Sequence, residues 1–189
     1  METKNSLFNS ALKSGLIIGV VSIVVFIIMY VADIKPVGIM VPILIMLASL
    51  AISIILLVIL FKKYRTEIGG FISFRNAFLY CFITLVIASL VSTLFTFLFI
   101  KLIEPDYYKN IMEAQKTWME NYLAGKMSDE QLTEALDKLD VQAVNMGSIT
   151  TTLKNFLIGT LVNGIFALII GAIMKKNPDV FDNAAGGVI

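Results

Sequence analysis

The chain has no histidine and a single cysteine in 189 residues. The first absence removes the commonest general base and the commonest metal ligand together. The second excludes an internal disulfide, and Cys81, set inside an apolar run, reads as a small buried hydrophobe. Charge is also scarce. Asp, Glu, Lys and Arg make up 15% of the residues, where a soluble domain carries about a quarter. The net charge of +1 leaves no basic surplus to attract a nucleic acid. Phosphate loops, nucleophile elbows and zinc spacings are missing too. No residue is therefore assigned to catalysis, to a cofactor or to a metal, and the expectation is that the protein is not an enzyme.

What is present is hydrocarbon. The hydrophobic fraction is 58% and the mean hydropathy is +0.86, so a bilayer is the better solvent for this chain. Four runs free of Asp, Glu, Lys and Arg stand at about 14–32, 37–61, 76–100 and 155–174. Each approaches or exceeds the roughly 20 residues that a helix needs to cross the hydrocarbon. A polar lead, METKNSLFNSALK, precedes the first. A cleaved signal peptide is the rival reading of that first run. Its apolar region would be shorter and would end in a small-x-small site, whereas this run ends Tyr30-Val31-Ala32-Asp33, which suits an uncleaved anchor better.

The stretch KKYRTEIGGFISFRNAF, residues 62–78, organises the chain. Lys62, Lys63, Arg65 and Arg75 stand there against the single acid Glu67, which marks a cytoplasmic turn between two spans. Gly69 and Gly70 supply the reversal, since residues without Cβ take positive φ readily. Ser73 is placed to cap the next helix. The basic residues could also hold anionic lipid, although their topogenic role already accounts for them.

Residues 101–154 are of another kind, with 6 Lys and 9 Asp or Glu. Within them an insertion at about 104–147 reads as two short amphipathic helices. Tyr108, Ile111, Met112, Gln115, Met119, Tyr122 and Leu123 recur at helical spacing, and Gly125 suits a C-cap. Ser128 and Gln131 form a capping box, with Met127 and Leu132 placed as its hydrophobic staple. Leu132, Ala135, Leu136, Leu139 and Ala143 continue a one-faced stripe. Ser148 can cap the last helix. Trp118 is a candidate partner contact, though closing the hairpin or resting on headgroups explains it equally well. Glu113, Glu120 and Glu130 read as solvated faces.

Flanking charge sets the orientation. With four spans, 8 of the 15 basic residues and only 4 of the 14 acidic ones share the side of both termini. The short loops give the same answer, so the termini face the cytoplasm and residues 101–154 the outside. The fold expected is an all-α membrane protein with four transmembrane helices in two hairpins. An extracytoplasmic amphipathic helical hairpin lies between the third and fourth.

The arrangement Arg65-x-x-x-Gly69-Gly70-Phe71-Ile72-Ser73-Phe74-x-x-Ala77-Phe78, with the four spans, the outer insertion and the closing Lys175-Lys176, resembles a family of small bacterial inner-membrane proteins, domain of unknown function 4199 (DUF4199). The resemblance covers most of the chain. It implies architecture and brings no catalytic residues with it.

Inside the spans, Thr84, Ala88, Ser92 and Thr96 form an i, i+4 row, with Ser89 and Thr93 beside it. It is either the wall of a polar pathway or a close-packing seam, and the seam is favoured because small residues let helices approach in lipid. Gly15-x-x-x-Gly19 and Ser49-x-x-x-Ser53 read the same way. Asn163 is the strongest hydrogen-bonding side chain at depth, and an interhelical bond is its expected use. The function expected is a non-catalytic accessory or scaffold protein of the inner membrane, acting through helix packing or its outer hairpin. The alternative is a small oligomeric channel or passive transporter built around the third-span row. The partners expected are the lipid bilayer and either further copies of the chain or another membrane or periplasmic protein.

Overall fold

A computed structural model describes residues 2–123, 126 and 128–176. Gly125, Met127 and the tail with Asp179 and Asp182 lie outside the described residues, as does the side chain of Ala143. The described residues form six helices: α1 (Glu2–Val31), α2 (Met40–Glu67), α3 (Phe74–Leu102), α4 (Tyr107–Leu123), α5 (Asp129–Met146) and α6 (Ile149–Met174). Four of them, α1, α2, α3 and α6, are long and apolar enough to cross a membrane. The protein is all-α and a multi-pass membrane protein.

Two helix starts, those of α1 and α2, differ from the sequence reading for local reasons, while that of α6 follows the expected cap at Ser148. The polar lead is helical from Glu2. Nothing in it breaks a helix, and Leu7 and Ala11 extend the buried stripe that continues through Ser14 and Ile18. α2 begins only at Met40 because the connection before it holds left-handed residues, Asp33 at φ 52° and Gly38 at φ 78°. α6 begins at Ile149, six residues before its charge-free run, because Ser148 accepts from the Thr151 amide at 3.1 Å and starts the helix there.

α3 is the central helix. Its densest contacts are with α1 on one side and α6 on the other, so the tightest packing does not follow the order of the chain. In its most apolar window 28% of residues are buried, against 6% for α2. α2 is therefore the peripheral span, and its buried residues, Leu57, Phe61 and Tyr64, all lie toward its C-terminal end.

At the opposite end an aromatic cluster joins α1, α3 and α4. The Phe99 ring lies 5.1 Å from Phe26, 4.9 Å from Tyr30 and 6.0 Å from Tyr107, in edge-to-face geometry. Tyr30 also donates to Glu104 at 2.9 Å. These contacts, with buried Ile111 and Met112, seat α4 on the bundle. α4 and α5 lie against each other, bridged by the Lys116–Asp140 ion pair. The capping box at the start of α5 is formed in both directions, each bond at 3.3 Å.

Candidate functional site

The glycine turn does more than reverse the chain. The Gly69 and Gly70 amides close α2 on Thr66 and Arg65 carbonyls, with φ at 95° and 86°. A Cβ on either would meet no neighbouring atom, so the demand for glycine is conformational and not steric. Ser73 caps α3, accepting from the Asn76 amide at 3.5 Å. Between them Ile72 pairs with Lys176 in an antiparallel bridge, amide to carbonyl at 2.8 and 3.0 Å. Arg65 donates to the Met174 carbonyl at 3.1 Å, satisfying a backbone oxygen at the end of α6. The turn thus clamps the last helix. Of the four basic residues there, Arg65 is engaged in this way, while Lys62, Lys63 and Arg75 are exposed.

The third-span row divides between two faces. Thr84 and Ala88 are buried. Thr84 donates to the Ala11 carbonyl at 3.2 Å, and one turn earlier the Tyr80 and Ser14 hydroxyls share a buried hydrogen bond of 2.7 Å. Opposite this stretch stand Gly15 and Gly19. A Cβ built on Gly15 would lie 2.7 Å from both Ile87 Cβ and the Thr84 carbonyl oxygen, and one on Gly19 would lie 2.8 Å from Val91 Cβ. This part of the row is closed against α1. Gly171 makes an equally close approach, to the Phe78 backbone of α3.

Ser92 and Thr96, farther along α3, turn instead toward α6. With Ser89, Thr93, Thr152 and Asn155 they line a cavity of about 290 Å³, whose apolar wall includes Phe97, Ile100 and Phe156. Ser89 and Ser92 also line a second space of about 170 Å³ that reaches Ser22, Ser53 and Asn163. Ser89 and Ser92 donate to carbonyls of their own helix. The side chains of Thr93, Thr96, Asn155 and Asn163 make no hydrogen bond to another described residue. Asn163 therefore does not form the expected interhelical bond among the described residues and instead lines a half-open space. Tyr108 of α4 lines the end of the larger cavity nearest α4, and burial pushes its phenol above the ordinary tyrosine pKa.

Among the described residues no Asp, Glu, Lys or Arg lines either space. Their polar groups are hydroxyls, amides and one phenol, which can bond an uncharged polar group or water but provide no nucleophile paired with a base. Among the described residues no group of His, Cys, Asp and Glu could hold a metal ion.

Trp118 stacks on Tyr122 at 4.8 Å and lies against Gly38, whose amide donates to Gln115 at 2.7 Å. The indole is half-buried within the chain, where it ties the loop between α1 and α2 to α4. Glu113, Glu120 and Glu130 are exposed.

The sequence reading missed the Ser14–Tyr80 bond, the clamp at Ile72 and the close approach of Gly171. For the first there was a signal, since a tyrosine deep in a span must find a partner for its hydroxyl. The other two join residues far apart in sequence and left none. A family model described as a protein of unknown function, DUF4199, matches residues 13–176. No curated protein and no solved structure matches the chain.

Proposed function

The chain belongs to the DUF4199 family of proteins of unknown function, and from that premise we propose that it is a non-catalytic accessory or scaffold protein of a bacterial inner membrane. In this reading both termini and the glycine turn face the cytoplasm. The spans form two hairpins in chain order, and α4–α5 is an extracytoplasmic hairpin that meets a partner. The charge of the short loops supports the orientation. The observation that carries the scaffold reading is the state of α5. Its main contacts are with α4 and the start of α6, and its remaining face is open, with Val141 63% exposed beside Glu134 and Asp137. A helix with no buried side chain among its described residues suits an external contact.

One observation weighs against a channel assembled around the third span. Thr84 and Ala88 of its row of small residues are buried against α1, so this part of the row is not free to line the centre of an oligomer.

A membrane-impermeant, thiol-reactive photocrosslinker applied to sealed cells tests both parts, in a chain carrying Cys81→Ala. A cysteine at Ser128 should be labelled and, on irradiation, give one stoichiometric adduct with another membrane or periplasmic protein. A cysteine at Thr66 should remain unlabelled. Labelling at Thr66 would overturn the orientation. Efficient labelling at Ser128 without a protein adduct would overturn contact through the outer helices.

A further inference from the structure

The larger cavity has a second chamber at its outer end. Lys101, Pro105, Lys109 and Ser148 line a hollow of about 360 Å³, and Ile100, Tyr108 and Gly147 belong to both spaces. The two therefore adjoin, one lined by lysines at the edge of the bundle and the other running inward between α3 and α6. Neither lysine is in an ion pair with a described residue, and Lys101 rests 5.9 Å over the Phe97 ring. Ser148 caps the start of α6 and Gly147 the end of α5, so the opposed dipole ends of the two helices meet at the hollow and the two lysines are left as its source of positive potential. Of the carboxylates close to them in sequence, Glu104 is bonded by Tyr30 and lines a separate space toward α1, while Asp106 and Glu113 are exposed and do not line the hollow.

Polarity is graded along this path. Two lysines stand at the rim. Thr96 and Thr93 follow, roughly 7 and 12 Å deeper along α3 at 1.5 Å per residue. Their hydroxyls and the Asn155 amide have no described partner and are not fully buried, so they are open to a ligand's acceptors and donors. Beside them run the rings of Phe97 and Phe156. A phosphate ester followed by carbonyl oxygens and then a hydrocarbon chain carries the complementary sequence of groups.

Going beyond the scaffold reading and not resting on it, we propose that this cleft is a site for one anionic phospholipid. Its phosphate sits at Lys101 and Lys109, its glycerol esters at Thr96, Thr93 and Asn155, and one acyl chain between α3 and α6. A free phosphate would use the lysines alone, so the tail distinguishes the two sources.

The test uses the full chain reconstituted in vesicles containing a trace of phosphatidylglycerol or phosphatidylcholine with a diazirine in the acyl chain. After irradiation the labelled peptides are mapped. Phosphatidylglycerol should label α3 and α6 beside the cavity, around Phe97 and Phe156, well above the lipid-facing surface of α2. Phosphatidylcholine should label all of these surfaces alike. With Lys101→Gln and Lys109→Gln the cleft signal should fall roughly ten-fold or more, since each lysine near an anionic head contributes appreciably. Labelling of α2 should persist and report an intact fold. Excess inorganic phosphate should leave the pattern unchanged. Equal cleft labelling by the two lipids, or an undiminished signal in the double variant, would overturn the site. Displacement by inorganic phosphate would overturn it in favour of a simple anion site.

Discussion

Toward α1, the residues Thr84 and Ala88 are shut in by Gly15 and Gly19; toward α6, Ser92 and Thr96 of the same row border a cavity of about 290 Å³. The side chains on α3 are of one kind throughout, so α3 does not decide which contact closes. What stands opposite decides it. α1 presents two glycines one turn apart and brings its backbone against α3, whereas α6 presents Asn155 and Phe156 at the open end and reserves its close approach for Gly171 near the other. A run of small residues permits contact, and a second glycine on the partner completes it.

Substituting the glycines tests that difference most severely. Gly15→Ala should destabilise the protein by about 1–3 kcal/mol, because its Cβ would overlap a backbone oxygen that cannot move aside cheaply. Gly159→Ala in the cavity wall meets nothing within 4 Å and should be neutral, or stabilising by up to about 1 kcal/mol through helix propensity. Thermal unfolding in detergent compares the two directly, and equal losses would erase the distinction between the faces.

Polar contacts on the closed face come next. Ser14→Ala strands the Tyr80 hydroxyl in a buried position and should cost about 1–3 kcal/mol. Tyr80→Phe should cost about 1 kcal/mol, since the Ser14 hydroxyl can fall back on a helix carbonyl. The double variant should lose less than the two together, by about 0.5 kcal/mol or more. Strict additivity would mean that the 2.7 Å contact contributes nothing of its own.

The smallest effect belongs to the open face. Thr96→Val keeps the shape and removes a hydroxyl that bonds no described residue, so stability should change by less than about 0.5 kcal/mol. A loss as large as that of Ser14→Ala would show that the cavity is held together by its polar groups and is as closed, energetically, as the other side.

Much of this was legible in the chain. The four apolar runs, the reversal at Gly69 and Gly70, the caps at Ser73 and Ser148 and the capping box at Ser128 are local matters, written within a few residues of where they act. The row from Thr84 to Thr96 was visible too, but its division was not. One helix turns both faces through the same few positions, and the neighbour on each is chosen by tertiary packing. The sequence equally could not reveal that α2, the most hydrophobic span, is the least buried. In lipid an exposed apolar surface carries no penalty, so hydropathy reports on the solvent and not on the core.

The bridge between Ile72 and Lys176 also imposes an order of events. α1 and α3 can find each other while α6 is still on the ribosome, because both lie in the first part of the chain. The clip that fastens these helix ends must wait for Lys176, beyond the far end of α6. Until Lys176 emerges, the amide and carbonyl of Ile72 have only water or lipid headgroups to bond. The bundle is thus a pair that forms early and is locked late, with the roomy side of α3 the last to receive its wall.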